Sequence, residues 1–131
     1  VDYPEELRKN IIAKNLPLLH HAIPSYTNQL RKAISRSDLV SVNHRFAEYL
    51  ASYFDILFAL NRIPHPGEKR LVFFTVDNCK MLPDGLEADL TALLSWNGAA
   101  DEAWLEKLSH LNQAMDDLLK ENGFSKMRKI H

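Results

Sequence analysis

Apolar residues recur along this chain at intervals of three and four, the rhythm of helices that bury one face. Pro4 followed by Glu5 and Glu6 reads as a helix start, with acids beside the positive end of the helix dipole. Leu7, Ile11 and Ile12 then form a stripe. Asn15 with Pro17 marks a restart, and Pro24, which cannot supply an internal amide, predicts a kink or break just before it. Tyr26, Leu30, Ala33 and Ile34 carry the stripe on to Arg36. Ser37 and Asp38 are good caps for the next helix, expected from Leu39 to Asn61, the longest and most apolar element.

Pro64-His65-Pro66-Gly67 stops that helix. A shorter helix is expected from Glu68 to about Lys80. Val72 to Val76 also has strand propensity, but no second strand exists for it to pair with. Pro83-Asp84-Gly85 is a turn, and Leu86, Leu90, Leu93 and Leu94 restore the helical period until Asn97-Gly98. Asp101 to Asn122 forms the last helix, with Gly123 placed as a C-terminal cap. The sequence therefore predicts an all-α bundle of five or six helices, mostly antiparallel, around a long central helix. Residues 1–124 form one domain, and 125–131 a basic, mobile tail.

Composition changes this picture little. The 131 residues, 46% hydrophobic and 25% charged, suit one globular domain with its own core. A formal net charge of −1 argues against general nucleic-acid or anionic-membrane binding. No apolar run approaches the roughly 20 residues that span a bilayer, and no signal-peptide pattern opens the chain. The single cysteine, Cys79, excludes an internal disulfide, fits a cytoplasmic setting and reads as core filler. The chain begins at Val1 rather than Met, as a fragment or processed product would.

Two groups of polar residues are candidates for chemistry. On the long helix His44, Glu48, Asp55 and Arg62 recur at spacings of four, seven and seven, with Ser52 between, and so share a face. That face lies either against solvent or along a cleft. Just beyond, Asn61, Arg62, His65, Gly67, Lys69 and Arg70 crowd a rigid turn. If Glu68 opens a helix, its free amides and the two cationic side chains converge on one end, a place to hold an anion. The carboxylate of Glu68 would compete for the same amides, and Asn61 and Arg62 have a structural use as caps of orphan carbonyls. His44 and Glu48 have workable metal-ligand spacing, but no second His-bearing helix completes a set, and the adjacent His20 and His21 diverge. Trp96 and Trp104 suit packing at a helix corner. No phosphate-binding glycine loop, nucleophile elbow or Cys-x-x-Cys pair is present. The Arg-to-His gaps at Arg36–His44, Arg62–His65 and Arg128–His131 do not fit a small helical RNase.

The segment YFDILFALNRIPHPGEKRL, with the opening YPEELRKNII and the intervening SDLVSVNHRFAEYLASY, resembles the helical domain that follows the catalytic domain in bacterial nucleotidyltransferase-like proteins. The likeness spans roughly the first 80 residues. Asn43, His44, Asn61, Arg62, His65, Gly67, Glu68 and Lys69 carry the pattern. The resemblance implies an accessory domain that closes over a small-molecule acceptor. Nucleoside triphosphate and magnesium would be held by a catalytic domain, in the same or a separate polypeptide. The Gly-Ser and Asp-x-Asp motifs of such a domain are absent from this chain, so it is expected to hold no cofactor and transfer no nucleotide alone. Under that resemblance Glu48 and Asp55 suit a polycationic acceptor, one as general base, while Arg62 and Lys69 suit nucleotide phosphates. The alternative is a helical interaction or homodimerisation module.

Overall fold

The computed structural model describes residues 3–18, 25–96 and 99–124. These form six helices, with no strand among them: α1 (Glu5–Leu16), α2 (Tyr26–Ser35), α3 (Leu39–Asn61), α4 (Leu71–Asn78), α5 (Leu86–Leu94) and α6 (Glu102–Glu121). The expectations for Pro24, His20-His21, Asn97-Gly98 and the basic tail lie outside the described residues.

Local chemistry explains where the long helix begins and ends. The Asp38 carboxylate caps α3 by accepting from the Ser41 amide at 3.2 Å and the Ser41 hydroxyl at 2.7 Å. Those bonds, more than nearby Arg36, hold its carboxyl below the usual range. At the other end Arg62 turns left-handed, φ 57°, and the Ile63 amide reaches back to the Phe58 carbonyl at 2.9 Å. This is the closure usually made by glycine. Pro64 then forbids another turn. The same device ends α2 at Ser37 (φ 57°) and α6 at Gly123 (φ 86°). Glu68 does not open a helix: Arg70, left-handed at φ 50°, precedes Leu71, the first residue of α4.

α3 is the hub, packing against α1 and α2. Its buried surface includes Tyr49, Tyr53, Ile56, Leu57 and Leu60, each at 0% exposure. α1 runs antiparallel to it, with Glu5 reaching Arg62 and Arg8 reaching Leu60. α5 and α6 are also antiparallel, joined at Asp89–His110 and by the Trp104 indole donating to the Leu93 carbonyl. Against α3, α6 runs in the same sense, from Phe46–Trp104 to Tyr49–Asn112.

Two polar features lock the bundle. Arg8, 6% exposed, donates to the Leu60 carbonyl at 3.2 Å and to Glu5 at 2.9 Å, and stacks on Phe124. The Tyr49 hydroxyl donates to Asn112 at 2.5 Å, and the Asn112 amide donates to Thr27 at 3.2 Å, tying α3, α6 and α2 together. Burial, ahead of the nearby Tyr53 and Asp116 charges, pushes the Tyr49 phenol well above its ordinary value. Cys79 is buried, as core filler should be, and burial pushes its thiol up to about 11.

Candidate functional site

The polar face of α3 is occupied largely by its own neighbours. Glu48 takes Arg45 at 2.7 Å and His44 at 3.6 Å. Asp55 is half-buried beside Tyr3, whose phenol is pushed up by burial first and by the Asp55 charge second. Ser52 is buried. Arg62 pairs with Glu5 at 3.1 Å. The carboxyl of Glu5 is held below the usual glutamate range, chiefly by its bond from Arg8 and then by Arg62. The first turn of α1 therefore lies beside the lower half of this face.

The turn after α3 is likewise built from satisfied groups. Asn61 donates to the Leu57 and Met81 carbonyls, each at 2.9 Å, and accepts from the Met81 amide at 2.8 Å. It thereby staples the end of α3 to the segment after α4. His65 accepts the Gly67 amide on Nδ1 at 3.0 Å, which leaves its proton on Nε2, and its ring edge meets Phe58. Arg70 lies over the Phe73 ring, 4.6 Å from its centre, and Lys69 is exposed. Since α4 begins only at Leu71, Lys69 and Arg70 do not converge on a helical first turn with the Glu68 amide.

The two groups do not share a groove. His65, Gly67 and Glu68 wall a cleft of about 490 Å³ whose opposite side is Ala47, Leu50, Ala51 and Phe54 of α3. At about 100° per residue, His44, Glu48, Asp55 and Arg62 lie roughly a quarter-turn around the helix from that wall. The cleft is mainly apolar and meets a second hollow of about 360 Å³ at Leu94. Asn43 lines this second hollow with Leu39, Phe46 and Trp96. Together they make a trough along α3.

One pair was not legible among the polar spacings. Asp89 of α5, 7% exposed, lies 2.5 Å from Nδ1 of His110 on α6. The imidazole side chain is 62% exposed and projects between a cleft of about 450 Å³ and a smaller hollow of about 170 Å³. Gly85 (φ 75°) packs against this pair, where an added Cβ would stand 3.4 Å from each partner. Behind Asp89 the Tyr53 hydroxyl is buried without a hydrogen-bond partner among the described residues. Burial, then the Asp89 charge, drives that phenol far up. The signal in the sequence was Asp89 itself, a carboxylate inside the Leu86–Leu90–Leu93 stripe.

Among the described residues no group of three or more His, Cys, Asp or Glu is placed to hold a metal ion. No described helix is long and apolar enough to cross a membrane. Comparison with protein-family models, curated proteins and solved structures gives no match.

Proposed function

We propose that this chain is an accessory recognition domain that works beside a nucleotidyltransferase catalytic domain, with the trough along α3 as its working surface. The observation that carries this reading is the Pro64–Gly67 turn. It belongs to the segment that resembles such domains, and it walls the 490 Å³ cleft opposite the small side chains of Ala47 and Ala51. A cleft of that size accommodates a small acceptor, which the catalytic partner would modify while supplying nucleotide and magnesium. Its apolar lining selects a ligand with an apolar body, and His65 offers an Nε2 donor at the rim.

Chemical-shift titration tests the assignment. Nucleoside triphosphate and a panel of aminated small molecules are added to the isotopically labelled chain, with and without a nucleotidyltransferase catalytic domain. Acceptor-type molecules should shift Ala47, Ala51 and Gly67, and Ala51→Leu should abolish those shifts. Shifts confined to the His44–Glu48 face, or none with any probe in either setting, would refute it.

A second reading, as a homodimerisation module, is favoured by Leu39 and Leu94, which border the trough and are 56% and 55% exposed. Sedimentation of the chain against its Leu94→Lys variant decides it. A dimer lost in the variant supports self-association, and a monomer at high concentration excludes it.

A further inference from the structure

Neither Asp89 nor His110 lines the α3 trough, although Trp96 borders both the trough and the cleft beside the pair, and the chemistry read from the pair does not rest on the recognition role. A buried carboxylate costs stability unless it is paired, and within the α5 stripe an aliphatic residue would fill the same space. The chain instead keeps an acid there and aims it at the imidazole of a residue whose other end faces solvent. With Nδ1 donating to Asp89, the lone pair of His110 is confined to Nε2 and directed outward. The same exposed ring lines the 450 Å³ cleft, which Trp96, Ala103, Glu106 and Lys107 complete. Lys107 and His110 are three residues apart on α6, so their Cβ atoms lie about 5–6 Å apart on adjacent positions of the helix surface.

We propose that this cleft is a hydrolytic site for small neutral carboxylic esters, with His110 as general base and Asp89 as its positioning residue. A water molecule attacks the ester carbonyl carbon while Nε2 takes its proton. The tetrahedral oxyanion forms beside the Lys107 ammonium, which stabilises it as charge develops. The carbon–oxygen bond to the leaving group then breaks, and the imidazolium returns the proton to the departing alkoxide. Acid and alcohol leave, and the enzyme is regenerated with no external oxidant or metal. Asp89 holds the tautomer throughout and offsets the imidazolium charge. Trp96 and Ala103 offer an apolar wall for the acyl or aryl group, and Glu106 repels anionic esters and the carboxylate product.

The test follows release of p-nitrophenolate from p-nitrophenyl acetate by the full chain, across acid to mildly alkaline pH, against free imidazole at the same concentration. The chain should exceed imidazole by about 10²-fold or more, the ordinary contribution of a positioned acid–base group, and its rate should rise as the imidazole loses its proton. His110→Gln should fall to the background rate. Its site is exposed, and an unchanged circular dichroism spectrum confirms that it folds. Asp89→Asn should lower kcat with little change in KM and displace the pH profile, as a positioning role requires. Lys107→Met should lower kcat without displacing the profile, and it decides the case if Asp89→Asn does not fold. A rate no greater than that of free imidazole overturns the proposal, as does full activity in His110→Gln.

Discussion

Asn61 at the corner after α3 and Asp89 on the inner face of α5 both interrupt apolar stripes, yet they face different obligations. Asn61 satisfies backbone: its three side-chain bonds, to the Leu57 carbonyl and to both polar groups of Met81, all end on main-chain atoms. Asp89 satisfies a side chain that is itself mostly in water. The first arrangement is needed to close the fold. The second ends on no backbone group, and its exposed imidazole can turn to water instead. A dense set of donors and acceptors is thus no guide to activity until the destination of each bond is known.

Replacing each residue by the same aliphatic side chain breaks the comparison most directly. Asn61→Leu should cost about 2–3 kcal/mol in denaturant unfolding, because the Met81 amide and carbonyl lose their partner. Asp89→Leu should stay within about 1 kcal/mol of the parent, since the buried charge is removed and the His110 left behind is exposed to water, and should abolish any ester hydrolysis. Equal losses at the two positions would erase the distinction.

A smaller effect is expected at Glu5, which ties Arg62 of the corner to Arg8. Its carboxyl titrates below its ordinary 4.5 in the folded chain. The stability it contributes is therefore present above that value and is lost as pH falls through the depressed folded value. Glu5→Gln should flatten the acid limb of a stability-versus-pH curve while leaving the alkaline limb in place. The smallest effect belongs to Lys69→Ala. It removes an exposed cation from the corner and should change stability by no more than about 0.5 kcal/mol. A larger loss on thermal unfolding would mean that the cation has a structural partner.

Much of the architecture is legible in the sequence. The span of α3 follows from Asp38 and the apolar run to Asn61, and Gly123 marks the end of α6 in the ordinary way. The corner was harder because Arg62 and Arg70 hide their backbone role. Arginine seldom takes the left-handed conformation, so their side chains invited a reading as anion ligands while their φ angles set the helix limits. The pairing of His110 was illegible for a different reason. Its partner lies 21 residues away on another helix, and no spacing rule within one element can pair them. The apolar trough also depends on a tertiary meeting, that of α3 with Leu94 and the Pro64–Gly67 turn.

Arg8 gathers three distant parts of the chain at one pole: residue 5 through its ion pair, residue 60 through a carbonyl, and residue 124 through an aromatic face. A tag or fused domain attached just before α1 and one attached just after Phe124 would therefore emerge as close neighbours. Trimming back past Phe124 would also wet the guanidinium and slacken its grip on the long helix.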